Sequence, residues 1–366
     1  MLTVADVMRR YGPAYLEQFG AAMPAGHKKV LGAITACRTG QLGGVVYQCE
    51  RCGTLHTMGR SCGNRHCPTC QQDKTKAWLE NQLDRLLPCP YFLITFTVPA
   101  GLRELVRRNQ RTVYAAMFQA SSAALKTLAA DPKYLGTTRC GFFGVLHTWG
   151  RALDYHPHIH YVVPGGGLSK DGSQWLPSRA DFFVPVKALS ILFRAKLRDA
   201  LERAGLLAEL DAAVWRQDWV VHSRAAGDGR ASLKYLAPYV FRVAISDRRI
   251  VSCEDGRVTF SYRRSGSNRY RKMTFDASEF IRRFLQHVLP RALPKVRHYG
   301  FLSSNGRQPI EAVRWLITLY YGLIHRLLAV PLPARADVPL TRCPACGGPM
   351  YVLGFLSPQA VLFDTS

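Results

Sequence analysis

An α+β fold built on a mainly antiparallel sheet is what this sequence predicts, on three observations. Short β-rich runs and helical segments mix without the regular strand–helix–strand alternation of a doubly wound sheet. The two most apolar central runs, Phe142–Trp149 and Pro157–Val163, are joined by a short turn through 150–155, so they pair antiparallel. A second hairpin system over Arg248–Phe275 carries its own turn signals, Asp255-Gly256 and Ser265-Gly266-Ser267.

Taken in order, Val4–Phe19 has the apolar spacing of a short amphipathic helix. Cys37 to Cys70 is rich in Cys, Gly and His with little periodicity, the mark of a small module folded around metal. Gln71–Leu87 repeats Ala77, Leu79, Leu83, Leu86 and Leu87 at helical spacing, and Pro88 with Pro90 ends it, which sets a first domain boundary. Tyr91–Val98 reads as a strand, Leu102–Ala130 as a helix closing before Pro132, and Val186–Leu207 as a further helix. Trp315–Val330 is interrupted by His325 and Arg326 and is shorter than the about 20 apolar residues that span a bilayer, so a buried helix is expected.

Against 25 acidic residues the chain carries 49 Lys and Arg, a formal charge of +24, which points to nucleic acid as the partner. Its 366 residues, 48% hydrophobic, suffice for two or three domains. Eleven cysteines without a signal-peptide apolar core favour metal over disulfides. Cys49-x-x-Cys52 and Cys67-x-x-Cys70 are two knuckles that together supply four thiolates to one structural Zn²⁺. Cys62 and His66 lie between them, and one could substitute for a ligand or, with Cys37, His56 or both, hold a second ion. Cys343-x-x-Cys346 has only two thiolates and would need a distant residue such as Cys253, a partner chain, or no metal at all.

In the run Asp154 to His160 (DYHPHIH), alternate residues of a strand share a face, so His158 and His160 can grip one ion while Ile159 turns into the core. His147 on the preceding strand is the expected third ligand, with His156 competing across Pro157. Three ligands leave open positions, as a catalytic ion requires; imidazole favours Mn²⁺, abundance favours Mg²⁺. Tyr235 and Tyr239 are spaced to share one face of a helix as nucleophiles. Pro238 lies between them, so a helix beginning near Ala237 would tolerate the proline but leave Tyr235 outside. Arg248, Arg249, Arg263, Arg264, Arg269, Arg271 and Lys272 are interleaved with Phe260, Tyr262 and Tyr270, a mixture suited to phosphates and unpaired bases.

The blocks CRTGQLGG, SCGNRHCPTCQ, LHTWGRALDYHPHIHYVVPGGGLS, KYLAPYVFRVAISDRR and RHYGFLSS closely resemble the rolling-circle transposases of the insertion-sequence-ninety-one type, in the superfamily named for its His-hydrophobe-His motif. That resemblance covers about Cys37 to Ser304 and the tail knuckle. It implies an N-terminal zinc-binding domain (1–88), a catalytic domain (89–290) with a palm-like antiparallel sheet and flanking helices, and a helical C-terminal region with the knuckle (291–366). It further implies a metal pair at His158 and His160, paired nucleophiles at Tyr235 and Tyr239, and single-strand cleavage through a 5′-phosphotyrosine at single-stranded or hairpin element ends, in a bacterial cytoplasm beside the nucleoid. A plasmid relaxase or replication initiator would share this chemistry. A non-catalytic zinc-dependent DNA-binding regulator would explain the charge and cysteines but leave the histidines idle.

Overall fold

The computed structural model describes residues 2–241, 244–263, 269–306, 308–322 and 341–358. Thr3 opens helix α1 (Val4–Phe19) with a capping box: its hydroxyl accepts the Asp6 N–H at 3.1 Å, and the Asp6 carboxylate accepts the Thr3 N–H at 2.8 Å. Val30, Leu31 and Ile34 of α2 (Ala25–Thr35) join Val4, Val7 and Met8 in one apolar cluster. A hairpin follows, β1 (Gly44–Cys49) and β2 (Leu55–Gly59), where the sequence shows no periodicity. Helix α3 (Gln72–Asp84) then leads to the two prolines.

Strand β3 (Tyr91–Thr97) begins the central domain, and the single helix expected next is two, α4 (Arg103–Arg108) and α5 (Gln110–Ala130). Asn109, at φ −118° and ψ 40°, leaves helical geometry between them. Strands β4 (Phe142–Trp149) and β5 (Tyr155–Pro164) form the expected antiparallel pair, followed by a small ribbon of β6 (Gly166–Leu168) and β7 (Trp175–Pro177). Helices α6 (Val186–Arg203) and α7 (Ala213–Arg216), strand β8 (Val221–Ala225) and helix α8 (Arg230–Phe241) complete this part.

A second antiparallel sheet, β9 (Ile250–Glu254), β10 (Arg257–Arg263) and β11 (Tyr270–Asp276), is followed by α9 (Ala277–Leu285). Asp255-Gly256 makes the first turn as expected; the second, with Arg264, lies outside the described residues. Phe260, Phe280 and Phe284 pack with α1 and α2, so the front module shares its core with this late sheet. Buried Asp247 secures that junction, accepting the Val4 N–H and the Thr69 hydroxyl, each at 2.9 Å.

The central sheet has the order β12-β4-β5-β3-β8, with β12 spanning Val296–Tyr299 and every neighbouring pair antiparallel. Its two faces bury different cores because side chains alternate along a strand. Phe92, Ile94, Phe96, Leu146, Ile159 and Tyr161 face α5 and α6; Tyr91, Leu93, Phe143, Val145 and Val162 face α8, whose Leu233 and Leu236 anchor it there. The mixed α and β fold with an antiparallel sheet is therefore as expected.

The C-terminal region is not wholly helical. Helix α10 (Ile310–Tyr320) leaves Trp315 and Leu319 55% and 70% exposed, so the buried helix foreseen over Trp315–Val330 is corrected for its described part; 323–330 lie outside the described residues. Strand β12 instead covers the edge of the central sheet, and β13 (Met350–Leu356) pairs with β1, which leaves fewer backbone groups unpaired at each edge.

Candidate metal and nucleophile site

Alternation along β4 and β5 decides the site. His147 is the register partner of His158, and His160 pairs with Val145 on one side and Thr95 on the other, so all three imidazoles emerge on the α8 face while Ile159 enters the opposite core. One ring nitrogen from each lies within 4.8 Å of the others, a spacing that a single ion can bridge. Burial keeps these rings neutral: it pushes His158 down to about 4, and His147 and His160 well below the ordinary imidazole range. Their lone pairs are thus available to a metal at neutral pH.

Two of the rings are held by their other nitrogen. His160 Nδ1 meets the Thr95 hydroxyl at 2.8 Å, and His158 Nδ1–H donates to the His156 carbonyl at 2.6 Å. His160 Nε2 is buried and makes no hydrogen bond, an expensive state for a polar atom unless an ion takes its lone pair. His156, the competing third ligand, instead accepts from the Arg103 guanidinium at 2.7 Å and lies outside the cluster, which favours His147.

Helix α8 starts at Arg230, well before Ala237, so both tyrosine positions fall inside it and one turn apart. The expected helix start is corrected by tertiary packing: Leu233 and Leu236, both fully buried, bind the helix to the sheet despite Pro238. Tyr235 is 43% exposed, and its ring stands edge-on to His160 with centroids 6.0 Å apart. The side chain of Tyr239 is outside the described residues. Pro238 offers no N–H to the Lys234 carbonyl, at a cost of about 3 kcal/mol in a helix interior. Pro238→Ala is expected to raise unfolding stability by roughly 1–3 kcal/mol, measurable by urea denaturation.

The basic residues divide. Arg248, Arg263, Arg269, Arg271 and Lys272 are exposed, with Tyr270 beside Arg263 at 70% exposure. Arg249 braces the fold instead, donating to the Ser261 carbonyl at 2.7 Å and the Arg151 carbonyl at 2.9 Å. Phe260 is fully buried and cannot stack on a base, which corrects its expected role. Sequence reasoning missed Arg224 on β8, exposed, paired with Leu93 and close enough for its charge to lower His160 further. The alternation of Val221–Ala225 beside the apolar Tyr91–Thr97 was the available signal.

The cysteines group differently from expectation. Cys37, Cys62, Cys67 and Cys70 form one cluster; Cys49 and Cys52 form another with Cys343 and Cys346. The β1–β2 hairpin is the reason. Cys37 and Cys62 flank its open end, whereas Cys49 and Cys52 sit at its closed tip, about five residues or roughly 17 Å away at about 3.3 Å per residue. One ion cannot hold both Cys49–Cys52 and Cys67–Cys70. In the first cluster, hydrogen bonds from Cys62 and then Cys67 pull the Cys37 thiol down, while its contact with Cys37 pushes the Cys67 thiol up, as four thiols crowded around one point do. His66 is not a ligand there, since its Nε2 accepts the Leu289 N–H at 3.0 Å. Cys253, buried on β9, shares the apolar cluster of Cys37 and Cys67 and lies apart from Cys343 and Cys346, so it does not complete the tail knuckle.

Two thiolate clusters of zinc-binding type, joined to an antiparallel sheet that gathers three histidines, define a metal-binding class of protein. A family model described as "Transposase zinc-binding domain" matches residues 7–98, and one described as "Putative transposase" matches 141–309. The chain is 38% identical over 379 residues to "Putative transposase y4qJ" of Sinorhizobium fredii, covering 94% of this chain and 92% of that one. It is 28% identical over 354 residues to "Transposase for insertion sequence element IS801" of Pseudomonas savastanoi pv. phaseolicola, covering 89% and 83%. The chain belongs to the transposases of the insertion-sequence-ninety-one type. Among solved structures, the metal-free conjugative relaxase TrwC in complex with oriT DNA is 14% identical over 63% of this chain and 71% of that one, with a TM-score of 0.26. Among the described residues no helix is long and apolar enough to cross a membrane.

Proposed function

We propose that this transposase cuts and rejoins single DNA strands at the ends of its element, with Tyr235 as nucleophile beside an ion held by His147, His158 and His160. The observation that carries the reading is the placement of Tyr235 edge-on to His160, on the face where three neutral imidazoles converge. A bound Mg²⁺ or Mn²⁺ would polarise a non-bridging phosphate oxygen. The chain's own residues do the rest. His160, fixed by Thr95, and His158, fixed by its backbone bond, hold the site rigid; Arg224 and the exposed cations of the second sheet bind flanking phosphates.

The Tyr235 Oη attacks phosphorus in line with the scissile P–O3′ bond. A P–O bond to tyrosine forms, the P–O3′ bond breaks, and the phenolic proton ends on the departing 3′-hydroxyl. The product is a 5′-phosphotyrosine and a free 3′ end. Attack by another 3′-hydroxyl reverses these bonds and releases the tyrosine, so no nucleotide cofactor is consumed. Tyr239, one turn along the same helix, is positioned in sequence for a second transfer. The first structural zinc belongs to Cys37, Cys62, Cys67 and Cys70, inside the matched zinc-binding domain.

The test incubates purified protein with labelled single strands from the element's ends, with Mg²⁺ or Mn²⁺ and then chelator. A metal-dependent covalent adduct, lost in Tyr235→Phe, is expected. An adduct that survives Tyr235→Phe and disappears in Tyr239→Phe would transfer the first attack to Tyr239. Tight DNA binding with no adduct in the wild type would overturn the reaction.

A further inference from the structure

We propose a second tetrathiolate zinc site, divided between the two ends of the chain: Cys49 and Cys52 from the tip of the β1–β2 hairpin, Cys343 and Cys346 from the segment before β13. It lies partly outside the matched zinc-binding domain, and it does not depend on the cutting reaction proposed above.

The distances are those of a tetrahedral ion. Cys49 and Cys346 sulfurs are 3.5 Å apart, and those of Cys52 and Cys343 are 3.7 Å. Four sulfurs at about 2.3 Å from one Zn²⁺ lie roughly 3.8 Å from each other, whereas a disulfide needs about 2.0 Å. All four sulfurs fall within 4.8 Å of one another.

The two pairs also share one local backbone. Each is Cys-x-x-Cys-Gly, and the glycine follows in the left-handed region, Gly53 at φ 69° and Gly347 at φ 71°. In each, the glycine N–H donates to the carbonyl of the first cysteine, at 2.9 Å for Gly53 and 2.8 Å for Gly347. Two such turns facing each other present four thiolates to one point. Each turn also has a polar side chain beside it: the His56 ring nitrogen is 3.2 Å from Cys343 Sγ, and Cys52 Sγ donates to the Thr54 hydroxyl at 3.2 Å.

Packing gives an independent argument. Among the described residues, the hydrophobic cluster at the sheet β13-β1-β2 consists of Cys49, Cys343 and Met350, with Tyr47 and Cys346 partly covered. Leu55, Val352, Leu353 and Phe355 are 49–69% exposed. Three strands with so little apolar burial do not hold together by themselves; a metal takes the place of a core. The register Cys49↔Met350 and Gln48↔Tyr351 then brings the tail to the front module across most of the chain length. The site therefore closes the polypeptide on itself, and losing the tail thiolates would loosen β1 and β2 as well.

The test replaces zinc by Co²⁺ in the full-length reduced protein and titrates the sulfur-to-cobalt charge-transfer absorption, which the histidine site does not produce. Two equivalents are expected for the wild type and one for Cys343→Ser/Cys346→Ser; Cys62→Ser/Cys67→Ser is expected to retain one as well. One equivalent in the wild type, unchanged by the tail substitutions, would overturn the proposal. A measurement on the unaltered zinc protein guards against misfolded variants. Cys52 is exposed and Cys346 partly so, yet both should react with iodoacetamide at least 10-fold more slowly before a chelator is added than after. Alkylation of both at a rate indifferent to chelator would equally refute the site.

Discussion

Replacing His158 and His160 together by Ala is expected to lower metal-dependent strand cutting by more than about 100-fold while leaving DNA binding within a few-fold of wild type. The magnitude follows from the site's construction. Outer-sphere partners of a metal ligand alone are worth about 10–100-fold, and here two of three candidate ligands are removed. The cations that would hold DNA, Arg224, Arg263, Arg271 and Lys272, stand on other strands and keep their places. The check is a nicking assay run beside a binding titration at fixed salt. Equal loss of cutting and binding would assign the histidines a structural role.

The residue between them should behave oppositely. Ile159 is fully buried in the core against α5 and α6, with Leu146 and Phe96 as its register partners. Ile159→Ala deletes buried methyl groups and leaves a cavity in close-packed surroundings, so a loss of about 2–5 kcal/mol in unfolding free energy is expected. Cutting by the fraction that remains folded should persist, since the histidine face is unchanged. Urea denaturation and the nicking assay, run on His158→Ala and Ile159→Ala side by side, separate the two faces of β5. A stability loss confined to His158→Ala would contradict the assignment of faces.

That contrast was legible in advance because strand alternation is local: HIH in an apolar strand allows only one arrangement of two histidines and one isoleucine. The hairpin partner His147 was legible too, since a short turn fixes the pairing of adjacent strands. Tyr235 was legible as a residue but not as a position. Its helix begins seven residues earlier than Pro238 and Ala237 suggested, because buried Leu233 and Leu236 outweigh the local cost of the proline.

The sequence alone determined the antiparallel α+β class, the basic character, the abundance of paired thiolates and the histidine face, all of which rest on composition or on spacing within a few residues. Only the tertiary structure decided which thiolates meet. Cys49 lies closer in sequence to Cys67 than to Cys343, but the β1–β2 hairpin separates the first two by its own length, and the pairing of β13 with β1 brings the last pair together. A CxxC knuckle specifies half a site; the other half is chosen by strand pairing over nearly the whole chain, where loop closure grows only slowly more costly with length and leaves no local trace.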